Sequence, residues 1–278
     1  MSDFPFHRMR MTRLVRPAGT PGLREWAEAN GHWIVARGRI PFHVYEAYFA
    51  ANPEVYEVVR VFAQGSGVGP DVYDWPEDGP LGPIYAIVFV RGLDEHEVLH
   101  GLGAEAQDVR LVSDEEVAAY RVTEISGEIV RVARAEDWTV AECKGRRGNW
   151  RESVESLSQD GGEAIAVQRD GTAGDSFIHA VNGQVVTSFT PSRPFDRQGS
   201  APDGLNEHLC ALGIDPAAGD IIDNAVPAAL ALASRISGVV IIDTVANVGP
   251  EAFAREFRGL AILDPEPHRL GAMISSRR

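Results

Sequence analysis

The run Ser176–Thr190, SFIHAVNGQVVTSFT, reads as two short β-rich segments joined by Asn182-Gly183. An Asn-Gly pair accepts the positive φ angles of a two-residue type I′ turn, whose twist matches that of paired strands. The run therefore predicts a hairpin of strands Ser176–Val181 and Gln184–Thr190, in a sheet that is largely antiparallel.

Working outward, Ile84–Val90 (IYAIVFV) is a continuous apolar run of strand length and predicts a buried strand. Further strands are expected at Glu128–Arg134, Trp138–Glu142 and Ala164–Arg169. Asp94 is placed to cap a short helix, Glu95–Leu102, which Gly101 and Gly103 close. Other helices are expected at Ser153–Ser158, Leu205–Leu212, Val226–Ser237 and Glu251–Phe257. Strands in a run with helices set beside them indicate an α+β domain. Its expected extent is 84–278. Ahead of it, 64–83 holds Gly65, Gly67, Gly69, Pro70, Pro76, Gly79, Pro80, Gly82 and Pro83, a density of breakers that reads as a linker. Residues 23–63 read as a small helical module, including a third helix at Pro53–Ala63, and 1–22 as a basic arm.

The composition, 44% hydrophobic and 24% charged over 278 residues, suits one large domain plus a small one. The net charge of −14 excludes a chain that binds nucleic acid over its whole surface. Residues 1–40 hold seven arginines against Asp3, Glu25 and Glu28, a net of +4, which leaves −18 for the remainder. Lys144 is the only lysine beside 25 arginines. Two widely spaced thiols, Cys143 and Cys210, and the lack of a signal peptide point to a reducing cytoplasm. No apolar run reaches the ~20 residues of a membrane span.

The module's sequence, LREWAEANGHWIVARGRIPFHVYEAYFAAN at Leu23–Asn52, carries two helical stripes. Leu23, Trp26 and Ala27 form the first, stopped by Asn30-Gly31. Val44, Ala47, Tyr48 and Ala51 form the second, after Pro41 in its first turn. Between them Arg37-Gly38-Arg39 makes a flat, doubly cationic tip. Such a tip fits the narrow minor groove of A·T-rich DNA, where the potential is most negative and no guanine amino group blocks the floor. A side chain at Gly38 would hold the backbone off that floor.

Arg24-Glu25-Trp26-Ala27, Asn30-Gly31-His32, Val35, Arg37-Gly38-Arg39-Ile40-Pro41, Val44, Ala47-Tyr48 and Ala50-Ala51 resemble the DNA-binding domain of the Lsr family, histone-like nucleoid silencers of high-GC Gram-positive bacteria. The resemblance implies two short helices joined by the tip-bearing loop, a double-stranded A·T-rich DNA partner, and a place in the nucleoid. It implies no cofactor and no enzymatic activity. The expected DNA contacts are Arg37, Gly38, Arg39, Ile40 and Pro41, with Arg13 and Arg16 of the arm and Arg24 on phosphates. Weak binding per copy would then call for a homo-oligomer or a protein partner. The alternative is a protein-binding module, because peripheral subunit-binding domains share a similar glycine–arginine–isoleucine turn.

From Tyr85 to about Val239 the chain resembles an uncharacterised bacterial domain family. The matching blocks are Phe89-Val90-Arg91-Gly92-Leu93, Trp138-Thr139-Val140, Val185-Val186-Thr187-Ser188-Phe189 and Pro227–Ala233 with Gly238. One chemical motif stands in this region. His96-Glu97-Val98-Leu99-His100 would put two imidazoles on one helix face, a zinc-hydrolase pattern with Glu97 as general base. The competing reading is a solvated helix face without metal. Lys144-Gly-Arg-Arg147 is a candidate phosphate turn, and Arg193, Asp196 and Arg197 are candidates to line a pocket. His179 and the serines near it read as ordinary strand alternation.

Overall fold

The computed structural model describes residues 23–32, 44, 47, 48, 51, 68–73, 81–122, 127–145, 149–170, 174–222, 225–241, 261–263 and 268–274. The expected helices at Pro53–Ala63 and Glu251–Phe257 lie outside these residues.

The body is built on β1, Tyr85–Arg91, whose first six residues are all buried. It pairs antiparallel with β4, Trp138–Gly145, on one side and β5, Glu163–Arg169, on the other. The predicted hairpin is present as β6, Ser176–Val181, and β7, Gln184–Phe189, with Asn182 and Gly183 at φ 51° and 75°. On the far side β4 pairs with β3, Glu128–Ala135, which pairs with β10, His268–Ile274. β2, Arg110–Ser113, closes that end, giving the order β2-β10-β3-β4-β1-β5-β6-β7, antiparallel throughout. β8, Val239–Ile241, and β9, Ala261–Leu263, form a separate parallel pair. The α+β class and the mostly antiparallel sheet agree with the sequence. β2, β8, β9 and β10 were not expected, because they are short or interrupted by charge and glycine.

Each face of the sheet has its own cover. α2, Glu95–Gly101, and α4, Trp150–Leu157, lie on the face of Ala86, Val88, Ala141, Ala164 and Ala166, where small side chains let the helices approach. α6, Val226–Ser237, lies on the face of Ile87, Phe89, Val140, Ile165 and Phe177. Ten of its twelve residues are buried, as expected of a helix that is apolar all round. Gly238, at φ 74°, ends it in the left-handed conformation that glycine adopts without strain. Two shorter helices, α3 at Asp114–Ala119 and α5 at Asn206–Ala211, complete the body.

The expected linker is corrected in part. Val68, Tyr73 and Leu81 are core residues of the body. The 3-10 turn Pro70–Tyr73 straps the outer side of α6. The Tyr73 hydroxyl hydrogen-bonds the Ser234 hydroxyl and accepts from the Ile241 amide at 3.3 Å, while Arg235 Nε donates to the Val68 carbonyl at 3.1 Å. The breakers at 69–70 bend a strap that is anchored by buried side chains.

One chain of charges runs through the interior. Glu142 on β4 accepts from Arg131 of the facing β3 at 2.5 Å and from Arg269 of β10 at 2.7 Å. Arg131 also pairs with Asp114 at the start of α3. Gly271, opposite Arg131, is required by crowding, since a Cβ there would stand 2.3 Å from the Val130 carbonyl oxygen. Lys144 donates to the Val117 and Ala118 carbonyls at 2.7 and 3.2 Å, at the end of α3 where carbonyls lack helical partners. Burial, with Arg121 nearby, holds its ammonium below the usual lysine range. Lys144 is thus neither a phosphate contact nor part of a solvated turn, the reading that the sequence favoured for this run.

Two outcomes are expected. Glu142→Ala removes the carboxylate shared by two buried guanidiniums and should cost about 3–5 kcal/mol in chemical denaturation. Burial also raises both Tyr73 and Tyr85 to about 12. A phenol raised in the folded state is ionised more readily in the unfolded chain. Its contribution is intact below about pH 10 and is lost as pH rises from about 10 towards 12. Stability measured against pH should fall in that window, and less steeply in Tyr73→Phe.

Candidate nucleic-acid interface

In the module, α1 spans Leu23–Ala29, the first predicted helix. Its end is closed as Asn30-Gly31 requires. The Asn30 amide and side chain both donate to the Trp26 carbonyl, at 2.9 and 2.8 Å. Gly31 turns at φ 77°, and the His32 amide returns to the Ala27 carbonyl at 2.8 Å. Val44, Ala47, Tyr48 and Ala51, the predicted second stripe, are all helical.

These two pieces meet through a small aromatic core. The Trp26 indole stacks on His32 at 5.5 Å between centroids and takes the edge of Tyr48 at 5.3 Å. Ala27, Val44 and Tyr48 are buried around it. Trp26 and Tyr48, one from each predicted stripe, are brought together. The stacking role of His32 was not foreseen, since helical periodicity ends at Asn30. Arg24 sits on α1, and Glu25 and Glu28 face solvent. Arg13, Arg16, Arg37, Gly38, Arg39, Ile40 and Pro41 lie outside the described residues. What the structure describes is the scaffold on both sides of the Arg-Gly-Arg loop.

The chemical candidates of the body resolve differently. His96 and His100 are exposed on α2. Glu97, the would-be general base, instead accepts from the Asp94 amide at 2.8 Å while Asp94 accepts from the Glu97 amide at 2.9 Å, a capping box. Among the described residues no three His, Cys, Asp or Glu side chains gather as metal ligands. Arg197, a candidate to line a pocket, is engaged by its own loop. It ties its own loop together, donating to the Pro194, Pro202 and Pro216 carbonyls and to Asp203 at 2.6 Å. Arg193 lies over the Phe195 ring, and Asp196 is exposed.

Strand alternation concealed one arrangement. His179 Nε2 lies 2.8 Å from Glu163 Oε1, Arg91 lies 3.7 Å from the other carboxylate oxygen, and the buried His179 Nδ1 has no hydrogen-bond partner among the described residues. The pair forms because β5 and β6 set His179 diagonally across from Glu163. No local sequence signal reports that neighbourhood.

The aromatic core is the module's main source of burial among the described residues, and a unit this small has little to spare. Trp26→Ala should abolish the module's helical signal and its cooperative unfolding, while the body's transition stays in place. Calorimetry on the full chain reads both.

Two family models match separate parts of the chain. The model of the Lsr2 DNA-binding domain matches residues 18–51. The model of a family of unknown function, DUF6461, matches residues 68–247, roughly two thirds of the chain. No curated protein and no solved structure matches. Both resemblances stated from the sequence stand, and the DNA-binding match supports a DNA-binding, nucleoid-associated role in general. The chain belongs to the DUF6461 family of unknown function and carries ahead of that domain a segment matching the Lsr2 DNA-binding domain.

Proposed function

We propose that this protein binds A·T-rich DNA in the nucleoid by inserting Arg37 and Arg39 into the minor groove. The observation that carries this reading is the Lsr2 DNA-binding match at 18–51, which encloses Arg37-Gly38-Arg39-Ile40-Pro41. The ring contact between Trp26 and Tyr48, which joins α1 to the second stripe, supports it.

In this reading the contacts divide by role. Arg37 and Arg39 sense groove width and depth, Gly38 allows close approach, and Ile40-Pro41 lead into the second helix, whose amino end faces a phosphate. Arg13, Arg16 and Arg24 neutralise further phosphates without reading sequence. The basic head and acidic remainder direct DNA to the first 40 residues, because everything after them, at a net of −18, repels the duplex. The protein works in the cytoplasm as a binding protein without enzymatic activity or cofactor. Several copies on one A·T tract, or a protein partner, supply useful affinity.

The test is a mobility-shift comparison of A·T-rich and G·C-rich duplexes at two salt concentrations. Wild type should prefer the A·T duplex and weaken as salt rises, since phosphate contacts release counterions. Arg37→Ala/Arg39→Ala should remove the A·T preference, costing about 1–3 kcal/mol per lost groove contact, with thermal unfolding unchanged. Equal binding of A·T DNA by the double variant would overturn the minor-groove reading. Capture of one dominant protein without DNA would favour the subunit-binding alternative.

A further inference from the structure

The outer edge of the sheet is β2, and among the described residues no strand lies beyond it. A free edge presents unpaired amides and carbonyls that template another strand. Here two of those groups are occupied by one ion pair. Arg110 Nη1 donates to the Leu111 carbonyl at 2.9 Å, and Glu116 Oε2 accepts from the Ser113 amide at 2.9 Å as one half of the capping box that starts α3. The two side chains are joined to each other at 2.8 Å. Residues 111 and 113 direct their backbone groups to the same side of a strand. The Arg110–Glu116 pair therefore lies along the edge as a clasp over both.

Two further features show what the clasp excludes. Leu111 is 63% exposed, a large apolar side chain in the middle of a four-residue edge. The edge is also complementary to itself. Arg110 stands at its start, while Asp114, Glu115 and Glu116 follow its end. A twofold axis through Leu111 would set Leu111 against Leu111 and bring each Arg110 to the acidic first turn of α3 in the other copy. Arg110 and Glu116 are 49% and 42% exposed, so the clasp is held weakly and is open to screening.

We propose that β2 is a latent self-association edge, that its partner is the β2 edge of a second copy of this chain, and that the Arg110–Glu116 clasp keeps it closed. Opening the clasp joins two sheets antiparallel at β2. The inference does not rest on DNA binding, and it is read without DNA.

The experiment is light scattering on the full chain after size-exclusion chromatography over a range of concentrations. Arg110→Ala/Glu116→Ala should double the mass relative to wild type at equal concentration. Adding Leu111→Asp to that variant, which places a carboxylate at the twofold, should return the mass to the wild-type value. An unchanged mass in the double variant overturns the proposal. A gain in mass that survives Leu111→Asp overturns it too, since association would then arise from misfolding or another surface.

Discussion

A strand buried on both faces cannot be satisfied by one layer, and β1 sets that constraint. Residues 85–90 are all buried, so apolar cover is needed above and below the sheet. On one side α6 supplies it with Leu230, Leu232 and its alanines, and because α6 is itself apolar all round it must be covered in turn. The strap at 68–73 does that, which draws the end of the expected linker into the core. On the other side alanines at 86, 141, 164 and 166 let α2 and α4 sit close to the sheet. Their remaining faces carry the exposed histidines and carboxylates that imitate a metal motif.

The charged interior follows from a different need. β10 brings Arg269 beneath the sheet beside Arg131, and each cation loses its water there. One carboxylate, Glu142, answers both, because a carboxylate has two oxygens and each takes one guanidinium. Asp114 then neutralises the second charge and draws the start of α3 onto the sheet. β10 lies beyond residue 247, where the family match ends, yet it pairs with β3 and β2 inside the sheet. The folded unit is therefore larger than the matched one.

The two parts of the chain divide physical labour. The body buries two cores and carries the negative charge. The module has a core of a few aromatic and small residues, centred on Trp26, while the positive charge lies in residues 1–40, at a net of +4.

Local chemistry determined much of this by itself. Asn182-Gly183 specified the hairpin because few residue pairs adopt its turn, and IYAIVFV specified a doubly buried strand. Val226–Ser237 specified its helix, with Gly238 to stop it. In the module, the stripes of Trp26, Ala27, Val44 and Tyr48 and the Arg-Gly-Arg pattern between them were likewise legible, since each depends on spacing within a few residues. Tertiary structure decided what depends on distant partners. Tyr73 is a core residue only because Ser234 and the Ile241 amide meet it, 161 and 168 residues away. HRLGAMI is a strand only because Glu142 accepts its arginine and Val130 leaves no room for more than glycine at 271. Glu163 meets His179 only because β5 and β6 share one register. Hydrogen bonds and ion pairs between remote segments leave no period in the sequence, so they become visible only when the chain has folded.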